Sequence, residues 1–387
     1  MSSSTGPTVY LHIGTPKSGT TYLQSRFSAN HRRAAQQGLL WPGPSWDRHV
    51  AAARELRRLR DGELPSRRGP WEKLAREVLG WHGNSVLISM EWLSGITPHQ
   101  VRVAVDSLRP ARVEVICTTR DLLRSFVAQG QEMAKNYRTW PWSRIVEEVV
   151  EDKDGPAHKT FWRQQDVPRI LERWMAAVPA DRVHLVTVPP PGAPPEVLWD
   201  RFCGVLGVDG SGFDQPRQAN ESLGVVSTVL MQRLNAVAKT HDLSHNVYDR
   251  ALRRAVAVDV LGPRRTQEEP IAVSDELETF LGERAEAMVA ELRGLGVHLH
   301  GDWDDLLPAH STRGRRPEEV TESELLDLSL DALVSLAVSS SQEIDRLRRR
   351  ALVRGESDRT DRSPGEVLRR AGRRARGTLR RGQGKVV

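Results

Sequence analysis

The stretch that most constrains this chain is residues 9–21, V-Y-L-H-I-G-T-P-K-S-G-T-T. Its apolar alternating start predicts a strand, and glycine and proline then interrupt the run before a helix start near Thr20 or Thr21. Such a loop can turn its backbone N–H groups toward one point, where the positive end of the helix dipole and the Lys17 charge add to them. The stretch therefore predicts a phosphate-binding loop.

The glycine spacing of this loop separates it from the nucleotide-triphosphatase loop. Gly14 and Gly19 stand as far apart as the two glycines of G-x-x-x-x-G-K-[ST], but residue 20 is threonine and Lys17 lies inside the loop. A turn rich in glycine, proline and serine, with a solvated lysine, is the alternative interpretation.

Residues 15–21, T-P-K-S-G-T-T, resemble the 5′-phosphosulfate loop of sulfotransferases that use 3′-phosphoadenosine 5′-phosphosulfate (PAPS). The resemblance implies an α/β fold of the P-loop NTPase type, a three-layer sandwich with a central parallel sheet. It also implies that Lys17 is catalytic and neutralises the leaving phosphate, with no metal required because the loop amides share that task. The implied cradle of the 5′-phosphate consists of Gly14, Thr15, Pro16, Lys17, Ser18, Gly19, Thr20 and Thr21.

A second candidate site follows a predicted strand at residues 117–125, C-T-T-R-D-L-L-R-S. An arginine at the carboxyl end of a strand faces the crevice where open α/β sheets bind ligands, and its planar fork suits a phosphate. In PAPS-dependent sulfotransferases such an arginine binds the 3′-phosphate together with a serine eight residues later. Arg120 matches the arginine, but residue 128 is alanine, so we expect Ser125 or the neighbouring Gln129 as a substitute. The alternative is a strand-end ion pair between Arg120 and Asp121 that caps the next helix.

Sulfuryl transfer also needs a base within reach of the acceptor hydroxyl. Glu91 follows the strand-like run at residues 85–90, and several glycan-modifying members of the resembled family use a glutamate, so Glu91 is the first candidate. His49, which follows a tryptophan-containing loop, is the rival base, and a cap at a strand end is the alternative role of Glu91. We interpret His12, inside the first strand, as a packed or hydrogen-bonded core residue.

A third cofactor element is predicted by position only. Arg217, Asn220 and Ser222 lie where the resembled family carries a loop that closes over the 3′-phosphate and adenine. The alternative is a helix N-cap at Ser222 after a surface loop.

Strand patterns at residues 9–13, 85–90, 112–119 and 182–188 alternate with helical patterns, which favours a parallel sheet covered on both faces. The predicted domain organisation is a disordered N-terminus at 1–7, a sulfotransferase-like α/β domain at 8–310, a helical C-terminal extension at 311–354 and a basic, disordered tail at 355–387. Cys117 and Cys203 sit in apolar contexts and predict small buried hydrophobes.

The basic charge of the chain belongs to its tail. The 387 residues carry a formal net charge of +6, but residues 362–387 alone hold nine basic side chains and one acid, which leaves −2 for the remainder. We therefore expect no specific nucleic-acid partner, and only weak contact of the tail with a membrane surface. No apolar run is long enough for a membrane span, and residues 1–7 lack the features of a signal peptide, so the expected location is cytoplasmic.

The function implied by the resemblance is transfer of the sulfuryl group of PAPS to a hydroxyl or amine of a small-molecule, glycan or lipid acceptor. Two alternatives stay open: a P-loop kinase of a small molecule, and a non-catalytic protein that binds 3′-phosphoadenosine 5′-phosphate (PAP) or a partner. Tryptophans that could form a roof over the acceptor suit core packing equally well. They are Trp41, Trp46, Trp92, Trp140, Trp142 and Trp162.

Overall fold

Short apolar runs form the strands of a single parallel sheet. The structure is a computed structural model and describes residues 6–43, 45–151, 154–215, 222–308 and 314–360. The described strands are β1 (Thr8–Gly14), β2 (Leu39–Leu40), β3 (Ser85–Ser89), β4 (Arg112–Thr119), β5 (Val183–Thr187) and β6 (His298–His300). They pair in the order β2-β3-β1-β4-β5-β6, and every pair is parallel. The predicted α/β class with a central parallel sheet is confirmed.

Helices fill the connections between these strands and follow the last strand. They are α1 (Thr20–Ala29), α2 (His31–Gln36), α3 (Asp47–Leu56), α4 (Pro70–Leu79), α5 (Pro98–Asp106), α6 (Leu122–Lys135), α7 (Trp142–Val150), α8 (Pro156–Gln165), α9 (Val167–Met175), α10 (Pro195–Leu206), α11 (Val225–Thr240), α12 (His245–Tyr248), α13 (Asp275–Gly294) and α14 (Glu322–Thr360). Shorter 3-10 turns lie at Glu91–Gly95, Ala180–Arg182, Gly262–Gln267, Trp303–Leu306 and Pro317–Glu319, and a π-helix spans Asp249–Leu261.

Alternate residues of each central strand face opposite sides of the sheet and build two cores. Val9, Leu11 and Ile13 of β1 join the larger core, to which α3 to α9 and α13 contribute. The intervening Tyr10 packs against the smaller core, which contains residues of α1, α2 and α10. The two faces are therefore covered by helices, and the chain forms the expected three layers.

Capping residues set several helix ends where the sequence indicates them. Thr97 accepts a hydrogen bond from the Gln100 N–H at the start of α5, with Pro98 in the first helical position. Gly207 ends α10 in the left-handed conformation. The helix predicted to start near Thr20 or Thr21 ends at Ala29, because the Asn30 side chain donates to the carbonyl oxygens of Arg26 and Asp214.

Both cysteines are free and buried, as expected from their apolar contexts. Within the described residues, no helix combines the length and the apolar character needed to cross a bilayer.

The chain divides into two compact units, residues 1–325 and 326–387. The first contains the sheet and its helices. The second contains most of α14, which continues to Thr360, beyond residue 354 where the sequence predicts the helical extension to end. The rest of the predicted basic tail, residues 361–387, and the first five residues of the predicted disordered N-terminus lie outside the described residues.

Candidate functional site

The loop between β1 and α1 lies at the point where the strand order reverses. Strand β1 has β3 on one side and β4 on the other; the connection after β1 runs to β2 on the β3 side, whereas the connection after β3 crosses β1 to β4 on the other side. Open α/β sheets bind ligands in the crevice outside the strand ends at such a point. The fold therefore places the predicted phosphate-binding loop where a ligand crevice is expected.

Three residues of this loop adopt left-handed backbone conformations. Gly14, Lys17 and Gly19 have φ angles of 109°, 69° and 79°. A Cβ on Gly14 would lie 3.0 Å from the Glu91 carbonyl oxygen, and one on Gly19 would meet the end of the Leu198 side chain. The positive φ angles favour glycine at both positions, and the close Glu91 backbone adds a spatial reason at Gly14.

A network of hydrogen bonds among buried polar groups supports the phosphate-binding loop. The Thr15 N–H donates to the Thr118 carbonyl oxygen at 2.6 Å, and the Ser18 hydroxyl donates to the Thr15 carbonyl oxygen at 2.5 Å. The Thr118 hydroxyl lies 2.6 Å from Ser18 Oγ and 3.1 Å from His12 Nε2, and His12 Nδ1 lies 2.7 Å from Ser89 Oγ. Burial lowers the pKa of His12 to about 3, so the ring is neutral. His12 is the hydrogen-bonded core residue that the sequence predicts.

Several backbone N–H groups of the loop and of the first turn of α1 have no acceptor among the described residues. The first bond of helix α1 runs from the Leu23 N–H to the Gly19 carbonyl oxygen. Among the residues that the structure describes, none accepts a hydrogen bond from the backbone N–H groups of residues 17–22. These donors coincide with the positive end of the α1 dipole, which is the arrangement that binds phosphate groups.

Lys17 forms an ion pair that the sequence does not reveal. Its Nζ lies 2.7 Å from Glu132 Oε2, and Lys135 Nζ lies 3.4 Å from the same oxygen. Burial alone would raise the pKa of Glu132, but Lys17 and Lys135 lower it to about 2. In this structure the carboxylate of Glu132 is therefore the anion that balances the loop lysine.

Arg120 lies at the carboxyl end of β4, the strand next to β1, with an incompletely bonded guanidinium. Its Nη2 donates to the Arg124 carbonyl oxygen at 2.7 Å, while its buried Nε has no partner among the described residues. The hydroxyl of Ser125, five residues after Arg120, is fully buried and likewise has no partner among the described residues. Burial, and then Arg124, lower the pKa of Arg120 to about 10. Two buried polar groups at the start of α6 thus have no partner among the described residues.

The predicted substitutes for the missing serine differ in their surroundings. Gln129 bonds to the Thr160 carbonyl oxygen and to the side chains of Gln164 and Gln165, which ties α6 to α8. Ser125 therefore fits the role better than Gln129 does. The Asp121 side chain accepts from the Arg124 N–H and pairs with the Arg124 guanidinium, so the expected cap is present but its arginine partner is Arg124, not Arg120.

Glu91 begins the 3-10 turn that follows β3 and borders the loop at Gly14. Its carboxylate accepts a hydrogen bond from Gln24 Nε2 at 2.9 Å, and its carbonyl oxygen accepts one from the Ser94 hydroxyl at 2.8 Å. The side chain is partly exposed. It can therefore meet an acceptor from solvent beside the phosphate-binding loop.

His49 has a structural role here. Its Nδ1 accepts from the Ser89 N–H at 3.1 Å, and its Nε2 donates to the Pro42 carbonyl oxygen at 2.9 Å. Burial lowers its pKa to about 4, and its ring stacks on Trp41 at 4.4 Å. With both nitrogens bonded to backbone, His49 has no site left for an acceptor proton, which disfavours it as the base.

The third predicted element is only partly described. Arg217 and Asn220 lie outside the described residues. Ser222 accepts a hydrogen bond from Arg265 Nε at 3.0 Å, and the N-cap of α11 is Gly224, so the N-cap alternative for Ser222 is wrong.

Two residues of the site have no sequence signal of their own. Glu132 lies 115 positions from Lys17, and Gln165 Nε2 reaches the Pro16 carbonyl oxygen at 3.0 Å from 149 positions away. Both residues lie on helices. The sequence pattern of a helix indicates which of its residues are buried, but it does not indicate which distant residues they contact. The polar face of α6 is the signal that could have directed attention to Glu132.

Comparison with known proteins gives little more. No family model matches the chain, and no curated protein matches it either. Among solved structures it is similar to a sulfotransferase from Alicyclobacillus acidocaldarius, with 14% identity and a TM-score of 0.41 over 74% of this chain and 94% of that one. A likeness this distant says nothing about which residues of this chain bind or react.

Proposed function

We propose that this chain is a sulfotransferase that uses PAPS as its sulfuryl donor. The observation that carries the proposal is the loop of residues 14–21. It combines unused N–H donors, the Lys17 ammonium and two glycines with left-handed backbone conformations, at the reversal point of a parallel sheet. Such a loop fits the 5′-phosphosulfate end of the donor.

The far end of the donor fits the neighbouring strand. A 3′-phosphate would give acceptors to the buried Nε of Arg120 and the buried hydroxyl of Ser125, which have none among the described residues. Buried donors without acceptors cost about 1–3 kcal/mol each, so an anion at this place would satisfy both and stabilise the site. Ser125 would then take the role of the serine that the resembled family has where this chain has Ala128.

Each residue has a distinct task in this proposal. PAPS supplies the sulfuryl group and leaves as PAP. Lys17 and the N–H groups of residues 17–22 stabilise negative charge on the leaving phosphate, and Arg120 with Ser125 orients the nucleotide. Glu91 accepts the proton of the acceptor hydroxyl or amine as the new bond to sulfur forms.

Radiolabelled PAPS, incubated with a panel of sugars, phenols, lipid alcohols and amines, tests the proposal. We expect label transfer by the native chain and a loss of about 10²- to 10³-fold in Lys17→Ala, because one charge-stabilising group is removed. The exposed Lys73 provides the matched control, and Lys73→Ala should retain full activity. Undiminished transfer by Lys17→Ala would contradict the mechanism.

Binding of PAP without transfer to any acceptor would favour a non-catalytic PAP-binding protein, and transfer of phosphate from ATP with Mg²⁺ would favour the kinase alternative.

A further inference from the structure

Three arginines surround the 3-10 turn that carries Glu91. Arg54 of helix α3 and Arg57, the residue after that helix, have guanidinium carbons 5.9 and 5.3 Å from the ring centre of Trp92. Helix α8 contributes Arg163, whose Cγ lies 3.6 Å from the position that a Cβ would take on Gly95. We call Arg54, Arg57, Arg163 and Trp92 the cationic rim.

The arginines of the cationic rim are unpaired. Among the described residues, no carboxylate lies within ion-pair distance of Arg54, Arg57 or Arg163, whereas other arginines such as Arg48 and Arg169 have carboxylate partners. The pKa of Arg57 is lowered, first by burial and then by Arg163, so the two positive charges are close enough to repel each other. An anion bound between them would relieve that repulsion.

The cationic rim borders the candidate reaction site. Trp92 is the residue after Glu91, and α8 ends at Gln165, whose side chain bonds to the Pro16 carbonyl oxygen of the phosphate-binding loop. All three arginine side chains are exposed, and the Trp92 ring is partly exposed. A molecule placed against Glu91 from solvent would therefore meet positive charge and an aromatic face together.

We infer that the sulfuryl acceptor is an anionic ring compound, such as a sugar acid. Its carboxylate or phosphate pairs with Arg57 and Arg163, while an apolar ring face packs on Trp92. This inference rests on the proposed function, since it names the acceptor class for the same site.

Calorimetry on the full chain saturated with PAP tests the inference with phenyl β-glucuronide and phenyl β-glucoside. The two probes differ only at C6, which is a carboxylate in the glucuronide and a hydroxymethyl group in the glucoside. We expect the glucuronide to bind at least about tenfold more tightly, which is the effect of one charge-assisted hydrogen bond. The preference should disappear in an Arg57→Gln/Arg163→Gln variant and persist in Arg109→Gln, whose arginine is exposed and pairs with Asp106.

Equal affinity for the two probes, or a preference that survives in the double variant, would overturn the inference. A separate titration of the unliganded chain with PAP distinguishes this outcome from failure of the proposed function. A chain that binds PAP without distinguishing the probes loses only the anionic acceptor, whereas a chain that does not bind PAP loses the proposed function.

An independent observation concerns helix α14. Exposed and mostly apolar residues recur along this helix at alternating intervals of four and three positions. We call them the seam: Leu326, Leu330, Leu333, Ala337, Ser340, Ile344 and Leu347. The five large apolar members of this seam are 50–62% exposed. A 3.5-residue repeat of apolar side chains is the pattern of a coiled coil, with Leu330 and Ile344 at a positions and Leu333 and Leu347 at d positions.

Charges beside the seam favour one kind of partner. In this register Glu343 takes a g position and Arg348 the following e position. In a parallel, in-register pair these two residues face each other across the seam, which places opposite charges together. Ile at an a position with Leu at d positions also favours two strands.

We propose that α14 pairs with the α14 of a second copy of this chain as a parallel two-stranded coiled coil. The seam of residues 326–347 spans three heptads. Burying its apolar side chains removes surface that a single copy leaves in water, and the small Ala337 and Ser340 make the centre its weakest part.

Sedimentation equilibrium of the full chain tests this pairing. We expect a dimer for the native chain and a monomer for Leu330→Glu/Leu333→Glu, while Gln342→Lys, at an exposed f position, should remain dimeric.

Ser340→Cys should form a disulfide between copies under oxidation, because identical d positions meet only in a parallel pair; the two native cysteines are buried. A monomeric native chain, or a dimer in which Ser340→Cys does not cross-link, would overturn the proposal. Monomers that bind anionic vesicles through this face would identify a membrane surface as its occupant instead.

Discussion

At the scale of single residues, the site depends on which negative charge pairs with the Lys17 ammonium. Its ammonium pairs with Glu132, and the same carboxylate also meets Lys135. A phosphate on the loop would compete with Glu132 for Lys17 and would be repelled by its charge. Lys17 was accessible to prediction because it lies within a contiguous motif, whereas Glu132 was not, because its contact depends on the packing of α6 against the loop.

The Glu132→Gln variant tests this competition. We expect PAP to bind about fivefold more tightly, since removal of a nearby negative charge is worth roughly 1 kcal/mol at a partly exposed site. Glu172→Gln, a change at an exposed carboxylate that pairs with Arg169, should leave PAP affinity unchanged. Calorimetric titration with PAP gives both values, and weaker binding to Glu132→Gln would mean that Glu132 positions Lys17 for the ligand.

At the scale of elements, local patterns and tertiary pairing contributed differently to what could be predicted. Strands β1, β3, β4 and β5 lie close to their predicted bounds, because each is a buried apolar run flanked by turn residues. Strands β2 and β6 were missed, because two or three residues carry no periodicity and become strands only by pairing with β3 and β5. The loop after β1 was predictable because its chemistry is contained in consecutive residues.

Two glycine substitutions separate a required glycine from a permissive one. Gly14→Ala places a Cβ against the Glu91 backbone at a φ of 109°, so we expect a loss of about 1–3 kcal/mol in the free energy of unfolding together with weaker PAP binding. Gly282→Ala, inside α13 with open space around it, should instead gain about 0.5–1 kcal/mol. Urea unfolding of both variants measures these changes, and equal stabilities would contradict the geometry of the loop.

At the scale of the whole molecule, the strand order creates the site. The sequence predicts a parallel sheet, but it does not state which strands are neighbours, and the order β2-β3-β1-β4-β5-β6 puts the ends of β1, β3 and β4 together. The groups that hold this arrangement include two buried neutral histidines, His12 and His49. They link the ends of these strands through Ser89 and Thr118. His12 was predicted as a core residue, whereas the bond between His49 and Ser89 was not inferred, because it joins positions 40 residues apart in the chain.

These histidines make stability depend on pH. Folding lowers the pKa of His12 to about 3 and that of His49 to about 4, while in the unfolded chain both protonate near 6.5. The unfolded state therefore binds more protons below pH 6.5, and stability falls as the pH drops toward 4, by roughly 2–3 kcal/mol per pH unit near pH 5 for the two residues together. Urea unfolding at pH 7, 6 and 5 should show this decline, and a flat profile between pH 6.5 and 5 would contradict the neutral rings.

The central claim is that the β1–α1 loop and the end of β4 together hold the two phosphates of one nucleotide. Calorimetric titration of the full chain with PAP and with adenosine 5′-phosphate tests it most directly, because the two ligands differ only in the 3′-phosphate. We expect PAP to bind about 10- to 100-fold more tightly, the effect of roughly 1.5–3 kcal/mol from hydrogen bonds to a charged group, and Arg120→Ala to abolish the difference. Equal binding of the two nucleotides, or no binding of PAP, would contradict the account.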